Sequence, residues 1–196
     1  MGFFSGSQTI GILGGGQLGK MLITATSQWD ITTKVMESNN KAPARITCDT
    51  FIVGDLMDYD IVVVFGKNVD VLTIEIENFN TDALEALGKK GVKVYPQASV
   101  LKIIQNKCNQ KQFYKSNNIP TAPFQLFNSK EALKQAIGKG SVSFPFVWKS
   151  EAMGYDGYGV QIVRSNSDIE KLNEGACMAE DLVPIDKELG VIVCRS

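Results

Sequence analysis

Lys149 is followed five residues later by Gly154-Tyr155-Asp156-Gly157-Tyr158-Gly159, one cation beside a glycine-rich loop. Three glycines within those six residues give a backbone whose amides can come close to a phosphate. The lysine closes an apolar run, Phe144-Pro145-Phe146-Val147-Trp148, that reads as a buried strand. A strand that delivers one ammonium group beside a glycine flap can hold a nucleoside triphosphate without a Walker loop. The same residues also suit a plain glycine-rich hairpin turn with a surface lysine, so the remainder of the chain has to decide.

A second glycine cluster, Gly14-Gly15-Gly16-Gln17-Leu18-Gly19, follows a β-rich run and opens a helical pattern, which is the setting in which G-x-G-x-x-G binds dinucleotides. Glu37, at the end of the next apolar run, stands where such a fold keeps a ribose-binding acid. The glycines equally suit another anion, such as a sugar phosphate, at a helix N-terminus. Thr73-Ile74-Glu75-Ile76-Glu77 alternates as a strand and would put both carboxylates on one face, toward a ligand crevice or toward solvent at a sheet edge. In Glu180-Asp181-Leu182-Val183 a strand ends in an acid, as suits reading an adenine edge, and Glu188 lies within reach for ribose hydroxyls. Lys107 by itself reads as a solvated lysine. Only the order Lys107, Lys149, glycine flap, Glu180, Glu188 makes the set specific.

The positioning elements follow from periodicity. Strands are expected at Thr9 to Leu13, at Lys34 to Glu37, at Val69 to Ile76 and at Val92 to Tyr95. A helix from Gln17 would carry Leu18, Met21, Leu22 and Ala25 on one face, and another runs from about Thr81 to Lys90. Alternation of strand and helix implies a parallel α/β sheet. Ile61-Val62-Val63-Val64-Phe65 is strand-like in composition yet sits in a run that could be helical. Pro96-Gln97-Ala98-Ser99 reads as a seam, giving domains of residues 1–98 and 99–196. Past it come helices at Val100 to Gln105 and Asn109 to Asn117, the segment Phe124 to Phe127, and a helix from Ser129 to Ile137. Next follow the strand to Lys149, then Val160 to Val163, a helix from about Ser167, a strand Cys177 to Glu180, and an alternating strand from Glu188 to Ser196. Nothing closes that last strand, so the chain is expected to stop inside a domain.

Composition narrows the chemistry. With 196 residues, 44% of them hydrophobic, one or two cored domains can form. A net charge of −1 argues against nucleic acid or an anionic membrane as partner. No apolar run spans a bilayer, and Met1 to Gly6 lacks a signal peptide's pattern, so a cytoplasmic protein is expected. The four cysteines, Cys48, Cys108, Cys177 and Cys194, form no C-x-x-C pair and read as reduced and mostly buried. There is no histidine, which removes His-activated nucleophiles and His-ligated zinc.

Taken together the residues resemble the ATP-grasp superfamily, and within it the 5-(carboxyamino)imidazole ribonucleotide synthetases of purine biosynthesis. The carriers are Ile12-Leu13-Gly14-Gly15-Gly16-Gln17-Leu18-Gly19-Lys20-Met21, Thr73 to Glu77, Gln110-Lys111-Gln112-Phe113, Ile119-Pro120-Thr121-Ala122-Pro123, and Lys149 with Gly154-Tyr155-Asp156-Gly157. The resemblance implies a Rossmann-like pre-ATP-grasp domain followed by part of an ATP-grasp domain. It also implies ATP-dependent carboxylation of 5-aminoimidazole ribonucleotide by bicarbonate through carboxyphosphate, in a homodimer.

By position, Lys107 and Lys149 would contact ATP phosphates, and Gly154, Tyr155, Asp156, Gly157, Tyr158, Gly159 and Val160 would form the flap over them. Glu180, Asp181, Leu182 and Val183 would border adenine, and Glu188 would hold ribose. Gly16, Gln17, Leu18 and Glu75 become ribonucleotide-binding candidates, while Tyr155 and Asp156, facing both ligands, become the catalytic ones. Mg2+ is implied, with its acidic ligands on a further segment that family members carry, so the 196 residues alone are not expected to turn over ATP. Ile61 to Phe65 is then expected to be helical.

The chain departs from the family at Tyr158, where Lys or Arg is usual, at Val160, where Gln is usual, and at Lys107, where many members carry Arg. Rival readings are another ATP-grasp carboxylate–amine ligase, a nicotinamide-dependent oxidoreductase, and a nucleotide-binding module without catalysis.

Overall fold

Five apolar runs of the first half pair as a parallel sheet. They are β1 (Thr9–Leu13), β2 (Thr32–Glu37), β3 (Thr50–Val53), β4 (Val71–Ile74) and β5 (Lys93–Tyr95). Their order is β3-β2-β1-β4-β5, every neighbour parallel. The computed structural model that gives this arrangement describes residues 5–151 and 159–193. The chain divides into two compact units, Met1–Gln105 and Asn106–Ser196.

β1 is central, and its Ile12 and Leu13 are fully buried, as a strand covered on both faces requires. From β1 the sheet grows one way through β2 and β3, then restarts on the other side with β4 and β5. That reversal makes the C-terminal ends of β1 and β4 a topological switch point, where such sheets open a ligand crevice. The edge strand β3 is not among the elements read from sequence.

The helices are α1 (Gln17–Thr26), α2 (Tyr59–Gly66), α3 (Thr81–Lys89) and α4 (Ala98–Gln105). α2 contains Ile61 to Phe65, so the strand-like composition is overruled. Asp58 caps it by accepting from the Ile61 amide at 2.9 Å, and Val62, Val63 and Phe65 enter a core with Leu72, Leu84 and Leu87. β4 stops at Ile74, short of the expected strand through Glu77. Ile74 and Ile76 both pack against the core, and just past the end of β4 the Glu75 amide still bonds the Leu13 carbonyl.

α1 corrects another expectation. The face carrying Leu18, Met21, Leu22 and Ala25 is exposed, and the helix buries Gly19, Ile23 and Thr26 instead. Ile23 packs with Ile12, Val35 and Ala44, and Trp29, in the turn after α1, is exposed. α4 lies beyond the seam read from sequence, yet Leu101 joins the first unit's core, and the Gln105 amide donates to the carbonyls of Glu77 and Phe79. The compact units therefore divide between Gln105 and Asn106.

The second unit is built on β6 (Phe124–Phe127), β7 (Phe146–Ser150), β8 (Val160–Val163) and β9 (Cys177–Asp181), ordered β6-β9-β7-β8 and antiparallel throughout. Its helices are α5 (Lys107–Ser116), α6 (Lys130–Gly138) and the single turn α7 (Asn166–Ile169). Ser129 caps α6 through the Ala132 amide. Leu133, Phe146, Trp148, Val163, Ile169 and Cys177 form the core. Buried Lys130 donates to the carbonyls of Glu170 and Leu172, fastening the segment after α7.

Cys108 and Cys177 are buried and Cys48 is partly so, all three as free thiols; Cys194 lies outside the described residues. The expected strand from Glu188 is absent through Val193: that stretch is exposed and irregular, and residues 194–196 lie outside the described ones. Among the described residues no helix is long and apolar enough to cross a membrane.

The two faces of α1 give a direct check. Ile23 is 2% exposed and Met21 is 59% exposed. Ile23→Ala is expected to lower stability by about 2–5 kcal/mol, and Met21→Ala to change it by less than about 0.5 kcal/mol, in urea unfolding. A larger loss at Met21 than at Ile23 would mean that α1 buries the face its sequence suggests.

Candidate functional site

Two clusters of functional side chains form, one in each unit. In the first, the glycine loop leaves β1 at the switch point. Gly14 has φ 102°, a left-handed conformation suited to glycine, and a Cβ there would meet the Ile76 backbone nitrogen at 2.8 Å. The loop's amides already have acceptors within the chain. Gly15 N donates to Glu37 Oε2 at 3.0 Å, and Gly16 N donates to Glu75 Oε2 at 3.2 Å. Glu75 is itself positioned by its own amide, which bonds the Leu13 carbonyl at 2.7 Å. Gly16 is the N-cap of α1 and supplies no side-chain cap, and Gln17 and Leu18 are exposed beside it.

Glu37 is therefore not aimed at a ligand ribose. Its other oxygen accepts from Asn39 N and Ser38 Oγ, both at 3.0 Å. Burial pushes this carboxyl up, but the amides of Asn39 and Gly15 and the Ser38 hydroxyl outweigh it, so the pKa lies below its ordinary value. Two carboxylates at the loop make the crevice acceptor-rich, which favours a ligand's hydroxyl or amine donors over a bare phosphate.

The second cluster lies on the antiparallel sheet. Lys149, near the end of β7, reaches Glu180 on the neighbouring strand β9, with Nζ at 2.5 Å from Oε2. The other oxygen of Glu180 is paired with Lys111, one turn into α5. Lys111 also donates to Thr121 Oγ1, and its ammonium lies 5.9 Å from the centre of the Phe124 ring. The side-chain exposures are 6% for Glu180, 12% for Lys111 and 26% for Lys149. Of the two cations, Lys149 is thus the more open to a ligand.

Lys107 opens α5, which Asn106 caps. Its amide bonds the Glu151 carbonyl at 3.0 Å, tying the start of α5 to the chain just beyond Lys149. Past the loop, the Gly159 carbonyl accepts from Ser150 N, and Gly159 has φ 76°. Val160, exposed, then begins β8 opposite Lys149.

Gly154, Tyr155, Asp156, Gly157 and Tyr158, with most of the expected flap, lie outside the described residues. Asp181 ends β9, and Leu182, Val183 and Glu188 are exposed in the irregular segment after it. The structure thus brings Lys149 and Glu180 together and places the Lys107 backbone near them, while Glu188 is not drawn into the cluster. Lys111 was missed as a functional residue. Nothing near it in sequence marks it out; its pairing with the distant Glu180 does.

Thiol chemistry is disfavoured. Burial, the charge of Glu151 and Cys177 push the Cys108 thiol up to about 11, and burial also raises Cys177. Among the described residues no group of three or more cysteines or carboxylates converges to hold a metal, so no metal ligand is assigned to them.

Comparison with known proteins gives a consistent picture. The family model for the ribonucleotide synthetase preATP-grasp domain matches residues 7–105, and that for the ATP-grasp domain matches residues 112–196. The phosphoribosylaminoimidazole carboxylase of Ogataea methanolica is 36% identical over 197 aligned residues, covering 97% of this chain and 36% of that protein. The N5-carboxyaminoimidazole ribonucleotide synthase of Staphylococcus epidermidis is 33% identical, covering 94% of this chain and 50% of that protein. The crystal structure of N5-carboxyaminoimidazole synthase from Aspergillus clavatus, in complex with ADP and 5-aminoimidazole ribonucleotide, superposes with a TM-score of 0.81 at 29% identity. It covers 94% of this chain and 48% of that one. The chain thus spans between about a third and half of the length of these proteins.

The Glu37 contacts set a pH dependence. Its folded pKa lies below the ordinary 4.5, so the native state binds this proton less readily than the unfolded chain. The stabilisation is present above pH 4.5 and is lost as pH falls through the lowered value. Glu37→Gln is expected to cost about 1–3 kcal/mol at pH 7, with the gap closing in acid. A gap that stays constant on acidification would tie the effect to shape and not to ionisation.

Proposed function

We propose a function from this premise: the chain belongs to the ribonucleotide synthetase preATP-grasp family, with an ATP-grasp segment following that domain. In this reading the chain is the nucleotide- and ribonucleotide-binding part of a carbon–nitrogen ligase acting in purine biosynthesis. ATP phosphorylates bicarbonate to carboxyphosphate, releasing ADP. The amine of 5-aminoimidazole ribonucleotide attacks the carboxyl carbon, the bond to phosphate breaks, and the products are the N5-carboxylated ribonucleotide and phosphate. The names of the relatives support the substrates: one matched structure carries ADP and the aminoimidazole ribonucleotide.

The observation that carries the reading is the Lys149–Glu180 pair on adjacent strands, with the Gly159 carbonyl bonded to the Ser150 amide beside it. Phosphoryl transfer needs positioning and charge neutralisation more than covalent chemistry. Lys149 and Lys107 supply cations for the phosphates. Glu180, with the backbone of Asp181, Leu182 and Val183, borders the adenine, and Glu188 closes on the ribose when nucleotide binds. Gly154 to Val160 cover the phosphates and exclude water from carboxyphosphate, with Tyr155 and Asp156 as the flap's reacting-centre residues.

In the first unit, Glu75 accepts from the ribonucleotide's hydroxyls or amine, beside Gly16, Gln17 and Leu18. Mg2+ would neutralise the phosphate oxygens, and the protein would act in the cytoplasm as a homodimer.

Lys149→Ala is expected to weaken ATP binding at least about tenfold, the loss of one charge-assisted contact, measured by calorimetric titration. Its unfolding midpoint should shift little, because Glu180 keeps Lys111 as a counter-charge. Unchanged affinity with a large fall in the midpoint would make Lys149 structural. The 196-residue chain is further expected to show no bicarbonate-dependent ATP hydrolysis, and turnover that Lys149→Ala abolishes would reverse this.

A further inference from the structure

Glu180 is held by two ammonium groups, and the two are not equivalent. Among the described residues, Lys111 is surrounded by Glu180 Oε1, the Thr121 hydroxyl and the face of Phe124. Lys149 has Glu180 Oε2 as its side-chain partner and is about twice as exposed, 26% against 12%. A buried carboxylate left with one cation holds it tightly, because releasing that cation would leave an uncompensated charge out of water. With two cations, one can turn away while the other keeps the carboxylate neutralised.

We propose that Lys111 is a positioning residue: it carries the counter-charge of Glu180, so that the Lys149 ammonium is available to a polyphosphate. This inference rests on the reading of Lys149 as a phosphate ligand. Lys111 is not the cation offered to the anion: it is the more enclosed of the two, and two of its three N–H donors are directed at Glu180 and Thr121. Its effect on binding is transmitted through the charge on Glu180, and removing that charge should make Lys111 dispensable.

The test uses inorganic tripolyphosphate as the probe, because it lacks the adenine that Glu180 is proposed to border. Calorimetric titration of the 196-residue chain is compared with Lys149→Met, Lys111→Met, Lys111→Arg and the double variant Lys111→Met/Glu180→Gln, each first checked for cooperative thermal unfolding. Lys111→Met is expected to bind about tenfold or more weakly, as Glu180 captures Lys149. Lys111→Arg, which keeps the charge, should bind like the parent chain. The double variant should recover affinity to within about threefold, since no buried carboxylate then competes for Lys149.

If Lys111→Met does not fold, the double variant and Lys111→Arg decide. Parental affinity in Lys111→Met, or a double variant in which affinity is not recovered, overturns the inference and leaves the phosphate role of Lys149 standing. A parent chain blind to tripolyphosphate, or unaffected by Lys149→Met, overturns that role and the inference with it.

Discussion

A carboxylate taken out of water must be met by opposite charge or by hydrogen-bond donors, and Glu180 imposes that requirement on the second unit. It sits on β9 between β6 and β7, where Phe124 and Val147 are its cross-strand partners. One counter-charge comes from the strand beside it and the other from α5. Meeting that demand ties a helix to three strands of the sheet. It also fixes where Lys107 can be, one turn before Lys111 on the same helix, with its amide bonded beyond the end of β7.

Legibility from sequence follows how local each cause is. Strands β1, β2 and β9 were readable because burial forces apolar runs there. The order Lys107, Lys149, glycine flap, Glu180, Glu188 pointed to nucleotide chemistry before any contact was known, and Lys149 and Glu180 do meet. α2 shows a local signal overruled: Ile-Val-Val-Val-Phe favours a strand, yet the Asp58 cap and burial against Leu84 and Leu87 make it helical. The exposed stripe of α1 was misread because hydrophobicity ranks Leu18 and Met21 above Gly19. Packing instead brings Gly19 so near the loop that a Cβ there would lie 3.1 Å from the Gly14 carbonyl oxygen. Lys111 was unreadable for a different reason, since nothing in its neighbours separates a buried lysine from a solvated one; only the distant Glu180 does.

The glycine loop shows how a motif can be right in geometry and ambiguous in chemistry. Its strand–turn–helix setting is that of a dinucleotide fold, but the amides of Gly15 and Gly16 are satisfied by Glu37 and Glu75. Acids brought from the ends of β2 and β4 take the place an anionic ligand would occupy at those amides. The same glycines that admit a pyrophosphate in one protein admit carboxylates of the chain itself here, and the ligand is selected by what those carboxylates leave unfilled.

The chain has two tryptophans, and the fold gives each unit one of them in opposite surroundings. Trp29 stands in water after α1, whereas Trp148 lies in the core of the second unit beside Phe146 and Cys177. An indole in water emits at longer wavelength than one in an apolar interior. The blue edge of the emission spectrum therefore reports the second unit and the red edge the first. Loss of order in the second unit would move the whole spectrum toward the red, while events confined to the first would leave its blue edge in place.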